Sequence, residues 1–249
     1  TFKDDFIEKI DFSGERMKIG GLMKTTLLDF PGRIACTVFV SGCNFRCPYC
    51  HNASLVIPER FSGEEISEEA FFDFLSGRIG KLDGVCISGG EPLLQDENEL
   101  TSFIRKIKEI GFEVKLDTNG SVPGVLRKLL DEGLPDYVSM DVKNAPEAYA
   151  ETCGILNPPV DKIRESVRML VSSKVPYEFR TTVVDELHDE NKIRAIARWI
   201  GDVPHFFLQS YTDSEDVIEK GFHSCSRERL EKYLEITKEY VPSAQLRGI

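Results

Sequence analysis

Ile34-Ala35-Cys36-Thr37-Val38-Phe39-Val40 runs directly into Ser41-Gly42-Cys43-Asn44-Phe45-Arg46-Cys47-Pro48-Tyr49-Cys50. The first half is a short apolar run with β-branched and aromatic residues, the pattern of a strand buried on both faces. The second half crowds three cysteines into eight positions with the spacing Cys-x3-Cys-x2-Cys. A buried strand that empties into a cluster of thiols predicts a sheet whose chemistry gathers at its carboxyl edge.

Working outward, the same alternation recurs. Further strands are expected at Gly84–Ser88, Phe112–Asp117, Tyr137–Asp141, Tyr177–Val183 and His205–Gln209. Helical periodicity fills the intervals at 65–76, 98–110, 123–131, 160–171 and 190–200, and a last helix at 227–240 follows Ser226 as N-cap. Six strands alternating with helices make this an α/β chain with a mostly parallel sheet, because parallel crossovers need a dozen or more residues. An open doubly wound sheet and a partial (β/α) barrel both satisfy that pattern. Both place ligands at the carboxyl ends of the strands. Four consecutive strand exits carry polar or glycine-rich groups: Ser41-Gly42-Cys43, Ser88-Gly89-Gly90-Glu91-Pro92, Asp117-Thr118-Asn119-Gly120 and Met140-Asp141-Val142-Lys143. Together they imply one shared site.

Composition excludes several functions. The 249 residues carry 31 basic and 42 acidic side chains, a net charge of −11, which argues against binding a nucleic-acid backbone. No apolar run is long enough to span a membrane, and Thr1-Phe2-Lys3-Asp4-Asp5 lacks the basic-then-apolar pattern of a secretory signal. Seven cysteines is an odd number, and a disulfide framework belongs to smaller secreted chains. Cys36 and Cys86 lie in apolar strand runs and read as core; Cys153 and Cys225 read as incidental thiols. His188 and His223 read as surface residues, and Trp199 as core or groove-facing.

Cys43, Cys47 and Cys50 are one ligand short of the closed set of structural zinc, and His51 adjoins Cys50 too closely to aim easily at the same ion. A redox dithiol pair leaves the third cysteine unexplained. Three thiolates also suit a [4Fe–4S] cluster with one iron left open, and an open coordination position makes a metal centre catalytic.

The cysteine spacing, with an aromatic residue at Tyr49, resembles the signature of the radical S-adenosylmethionine (SAM) superfamily. Ser88-Gly89-Gly90-Glu91-Pro92 resembles its second-strand motif. The resemblance covers nearly the whole chain and implies a single-domain partial (β/α)6 barrel: a lead-in at 1–33, six strands within 34–209, and a helical segment at 210–249. It implies a [4Fe–4S] cluster on Cys43, Cys47 and Cys50, with SAM as cosubstrate. An external one-electron donor such as flavodoxin or ferredoxin reduces the cluster, and the S–C5′ bond of SAM breaks to methionine and a 5′-deoxyadenosyl radical.

Asp29-Phe30-Pro31-Gly32 is similar to a segment of glycyl-radical-enzyme activases. The fuller texture, including Thr181-Thr182-Val183-Val184, is most like anaerobic ribonucleoside-triphosphate reductase activating proteins. That likeness implies hydrogen abstraction from a glycine of the partner enzyme, in a reducing cytoplasm. By the same resemblance SAM would be held by Tyr49, Gly89, Gly90, Glu91, Asp117, Thr118, Met140, Asp141 and Lys143. Asp117, Thr118, Met140 and Asp141 would also hold a monovalent cation. Gln209, at the end of the sixth strand, is added as a further contact. Phe207-Leu208-Gln209-Ser210-Tyr211 lacks the histidine of pyruvate formate-lyase activases, which turns the reading away from that client. The alternatives are an activase of another glycyl radical enzyme, a radical SAM enzyme acting on a small molecule, and a non-enzymatic iron–sulfur electron carrier.

Overall fold

The computed structural model describes residues 17–248. The first sixteen residues of the expected lead-in therefore lie outside the described residues. The chain divides into two compact units. One takes the described residues up to Cys43 with Ser54–Asp117 and Gly124–Tyr137. The other takes Asn44–Ala53, Thr118–Pro123 and the residues from Val138 onward.

In the first unit β1 (Ile19–Thr26) pairs antiparallel with β2 (Ala35–Val40), which pairs parallel with β3 (Gly84–Gly89), itself parallel to β4 (Glu113–Thr118). The register brings Val40 opposite Gly89, so both strands end level and present their exit loops side by side. The core is aromatic: Phe71 and Phe72 of α1 (Glu68–Ser76) and Phe103 of α2 (Glu97–Ile110) have ring centroids 5.2–5.3 Å apart, all fully buried. Asp96 starts α2 by accepting the backbone N–H of Asn98 and Glu99, and Gly111 ends it in the left-handed region at φ 103°. Ser67 caps α1 in the same way, which is why that helix begins at Glu68 and not at Glu65. The helix α3 (Pro123–Asp131) opens on its proline.

In the second unit β5 (Tyr137–Asp141), β6 (Tyr177–Val183), β7 (Phe206–Ser210) and β8 (Gln245–Arg247) are all parallel in that order. Its helices are α4 (Tyr149–Cys153), α5 (Val160–Val171), α6 (Glu190–Ile200) and α7 (Arg227–Lys238), the last capped by Ser226 as expected. Ile163, Val167 and Leu170 of α5 and Ile193, Ile196 and Ala197 of α6 are buried, as their helical spacing requires. Among the described residues no helix is long and apolar enough to cross a membrane.

All six expected strands form. Two more flank them in segments expected to carry none. Within Ile19–Thr26, only Ile19 and Thr26 are buried, and two register shifts interrupt its pairing, so no apolar run marks it. The strand Gln245–Arg247 has three residues and turns the expected helical tail back to pair with β7.

An ion pair ties that short strand down. Glu178, in the middle of β6 and fully buried, accepts from Ser139 Oγ at 2.8 Å and from both terminal nitrogens of Arg247 at 3.1 Å. Burial alone would raise the Glu178 carboxyl; the Arg247 hydrogen bonds and the Arg180 and Arg247 charges outweigh it and hold the group below its ordinary range. Replacing Arg247 by leucine is expected to cost about 2 kcal/mol, less than the ~3–5 of a fully enclosed pair because the guanidinium is partly exposed. Urea unfolding should show that loss, and the double change Arg247→Leu/Glu178→Leu should recover most of it.

Candidate active site

The glycines after β3 decide the geometry of the first unit. The Gly90 N–H donates to the Val40 carbonyl at 2.9 Å, and the Glu91 N–H donates to the Gly42 carbonyl at 2.8 Å. A β-carbon at Gly90 would lie 1.9 Å from the Gly42 oxygen, and Gly89 adopts φ 106°. Only glycine permits this approach. The Gln95 amide adds a bond to the Ser41 carbonyl at 3.0 Å, and the Gly42 N–H donates to Leu55 at 2.8 Å. The loop that delivers Cys43 is thus fastened, through backbone groups, to the loop after β3. Glu91 is fully buried and its carboxylate accepts the Leu93 N–H at 3.1 Å, capping the turn at Pro92–Leu94. It shapes the loop from within, as a loop-orienting residue would.

Also in this unit, Asp117 accepts from Ser88 Oγ at 3.0 Å and is ion-paired to Lys115, whose side chain is buried. The Asp29 carboxylate accepts from Thr37 Oγ1, which pins the β1–β2 connection to β2. Asp29-x-Pro31-Gly32 therefore has a structural task in the turn.

The second unit holds the remainder of the cysteine loop. The Arg46 N–H donates to the Cys153 carbonyl at 2.8 Å, the Cys50 N–H to the Cys47 carbonyl at 2.9 Å, and the Glu219 N–H to the Pro48 carbonyl at 2.8 Å. Asn44 bonds the Ser121 hydroxyl at 2.8 Å and the Asn119 amide at 3.0 Å. Gly154 passes so close to Arg46 that a β-carbon there would lie 2.0 Å from the Arg46 carbonyl. None of the seven cysteines is in a disulfide. Cys36, Cys86, Cys153 and Cys225 are buried, the first two as core residues of their strands.

Tyr49 is buried, and its ring meets Tyr211 edge-on at 6.2 Å. Its hydroxyl is enclosed and has no hydrogen-bond partner among the described residues. Burial, then the nearby Cys47, pushes that phenol up. Asp141 is clamped from two sides, by Lys143 Nζ at 2.9 Å and Arg180 Nε at 2.9 Å. Burial would raise its carboxyl, but the two cations hold it well below the usual carboxylate range. Asp141 in turn keeps Lys143 protonated despite burial. Met140 is fully buried and packs on Gly120; Thr118 Oγ1 accepts the Gly120 N–H at 3.0 Å. Gln209 is half-buried on β7, paired in register with Arg247.

Two departures from expectation stand out. His188 is buried, not at the surface: the Lys143 carbonyl at 3.0 Å calls for a proton on Nε2, and Nδ1 then accepts the Val184 N–H at 3.1 Å. Arg180, in the middle of β6, carries no motif, yet it supplies half of the clamp on Asp141. The spacing Asp141–Lys143 was visible in sequence; a partner 39 residues away was not.

Residues 37–200 match the family model described as the radical SAM superfamily. The chain belongs to that superfamily. It is 31% identical over 239 residues to a candidate glycyl-radical enzyme activating enzyme of Methanocaldococcus jannaschii, covering 93% of this chain and 96% of the relative. It is 30% identical over 213 residues to a 7-carboxy-7-deazaguanine synthase of Methanopyrus kandleri, covering 76% and 78% of the two chains. The crystal structure of Streptococcus suis SuiB bound to SAM shares the fold, with TM-score 0.63 and 12% identity over 83% of this chain; the chain spans 48% of that protein. This radical SAM enzyme accordingly uses a [4Fe–4S] cluster and SAM. The residues present suit both groups: sulfur donors on a bonded loop, a strand exit of two glycines with no side chain beside Cys43, and an enclosed Tyr49 hydroxyl with no hydrogen-bond partner among the described residues. They suit a monovalent cation poorly, because Asp117 and Asp141 are each already ion-paired to basic side chains of their own unit.

Gly90→Ala is expected to weaken SAM binding to the reconstituted protein about tenfold, since the carbonyl of Gly42 has to move to admit the methyl group. Gly124→Ala, where a β-carbon meets nothing within 4 Å, should leave binding unchanged in the same equilibrium dialysis. A pH effect follows from His188. Burial lowers its pKa from the ordinary 6.5, so below that pH the unfolded chain takes up a proton that the folded chain refuses. Stability is full above pH 6.5 and falls as the pH drops from there. Thermal melts between pH 7 and 5.5 should show the slope, and His188→Gln should flatten it.

Proposed function

We propose that this protein activates a glycyl radical enzyme, and that its client is anaerobic ribonucleoside-triphosphate reductase. What carries the reading is the bonded pair of strand exits after β2 and β3, in which Gly89 and Gly90 bring the second loop's backbone against Val40 and Gly42, beside Cys43. The similarity to a glycyl-radical activating protein, over 93% of this chain and 96% of that relative, supports the client class.

Cys43, Cys47 and Cys50 would hold the cluster, and the backbone of Gly89 and Gly90 would hold the amino group of SAM, with Glu91 fixing that loop from beneath. When bound, the cluster supplies the electron that cleaves SAM and so the radical that takes a hydrogen atom from the client's glycine. Lys143, kept cationic by Asp141, would supply positive charge for a carboxylate, either that of SAM or one on the client loop. Arg180 fixes Asp141 so that Lys143 keeps one orientation. Tyr49 would pack near the adenine through its backbone and ring. Thr118, Met140 and Gln209 would complete the wall. A flavodoxin- or ferredoxin-type donor would provide the electron, and an oxygen-sensitive centre suits a reducing cytoplasm.

The 30% identity to a 7-carboxy-7-deazaguanine synthase favours a second reading, a radical SAM enzyme acting on a small heterocycle. One experiment separates the two. Protein reconstituted with iron and sulfide under anaerobic conditions, then reduced, should release 5′-deoxyadenosine, and with the reductase present should give the electron paramagnetic resonance signal of a glycyl radical. Cys47→Ala should abolish both. Deoxyadenosine formed without a glycyl signal from this or any other glycyl radical enzyme would overturn the activase reading and leave the small-molecule one standing.

A further inference from the structure

Away from these loops, the second unit carries a groove between α5 and α6 with a volume of about 720 Å³, within the range of small-ligand sites. Four arginines line it in two pairs, each pair one helical turn apart on its own helix: Arg164 and Arg168 on α5, Arg194 and Arg198 on α6. In a chain of net charge −11 this concentration of guanidinium groups is anomalous. Val167 and Ala195 form part of the lining between them, and Trp199 stands at one side, its ring meeting the buried Tyr149 edge-on at 6.1 Å.

Pairs to acidic side chains account for only part of the charge. Arg194 pairs with Glu239, and Arg164 lies 3.5 Å from Asp161, which is 97% exposed. Arg198 donates to the Tyr240 hydroxyl at 3.0 Å and lies over that ring, a contact that orients the guanidinium and leaves its charge in place. Arg168 is exposed, and among the described residues it has no ion pair. Glu147 also lines the groove. Four cations against the three carboxylates of Glu147, Asp161 and Glu239 leave an excess of positive charge where the whole chain is acidic.

We propose that this groove binds a nucleoside polyphosphate. Guanidinium groups arrayed on two facing helices match the several oxygens of linked phosphates, which they grip through paired N–H donors. Trp199 supplies an aromatic surface for a base, and base–aromatic contacts add to charge alone. The site shares no lining residue with the cysteine and glycine loops, and it does not depend on the proposed client.

The test uses the chain's own reporter, because Trp199 is its single tryptophan. The full-length protein is titrated separately with ATP and with inorganic tripolyphosphate, following Trp199 fluorescence and, in parallel, calorimetric heat. Saturable binding of both, with ATP at least tenfold tighter, is expected. The double variant Arg164→Gln/Arg168→Gln, altered on the helix surface, should bind at least tenfold more weakly, while Arg227→Gln on α7 should bind as the parent does. Absence of saturable binding by both methods, or equal affinity in the double variant, overturns the site. Equal affinity for ATP and tripolyphosphate overturns the nucleoside assignment.

Discussion

A single carbonyl oxygen, that of Gly42, stands where the β-carbon of residue 90 would be in any residue but glycine. Strands β2 and β3 run parallel and in register to their ends, so their exit loops emerge at one level and must share a narrow space. Removing the side chain at residue 90 lets the two backbones touch. The hydrogen bonds from Gly90 and Glu91 then use carbonyls that a loop would otherwise leave to water. Placement of Cys43 is a consequence: its loop inherits the rigidity of two buried strands. A wider separation of these exits would free the loop and with it the first of the three thiols.

The second unit solves a different problem, which is keeping charge inside. Asp141, Lys143 and Arg180 are each largely withdrawn from solvent, where a lone aspartate or lysine would be driven toward its neutral form and a lone arginine would be left as an uncompensated charge. As a set they stay ionised, with one anion serving two cations. The set is left with a net positive charge at a strand exit. That surplus is positive charge that a lysine balanced one-to-one would not keep. Glu178 and Arg247 follow the opposite logic: there the pairing is complete, and its effect is to hold a short terminal strand in place.

Much of this was legible in the sequence, and the limits are physical. The six inner strands and the long helices showed because burial on both faces of a sheet, or on one face of a helix, leaves a period. The edge strand Ile19–Thr26 had no such signature, since it is mostly open to solvent and gains its hydrogen bonds from β2. Glycines at strand exits marked the loops correctly. Side chains that act across long sequence separation did not announce themselves: Arg180 reads as an ordinary polar residue within a strand, and His188 as an isolated surface histidine. Only the fold brings the first to Asp141 and the second under Lys143. The likeness to activases suggests that Asp117 and Asp141 hold a monovalent cation; in the structure Asp117 is paired with Lys115, and Asp141 with Lys143 and Arg180.

The backbone of the cysteine loop is held by bonds that involve no thiol. Arg46 is bonded to Cys153, Pro48 to Glu219, and Asn44 to both Asn119 and Ser121, so the segment is fixed at its start, middle and flank. In small zinc domains the free energy of metal binding is largely the free energy of folding. Here the scaffold supplies the fold, and ligation has less ordering to accomplish. Its remaining cost is protonic: burial raises the Cys50 thiol, and its proton must leave before the sulfur can bind iron. Cluster assembly on such a loop should therefore be favoured by rising pH without any accompanying gain in secondary structure, which sets it apart from a metal-folded domain.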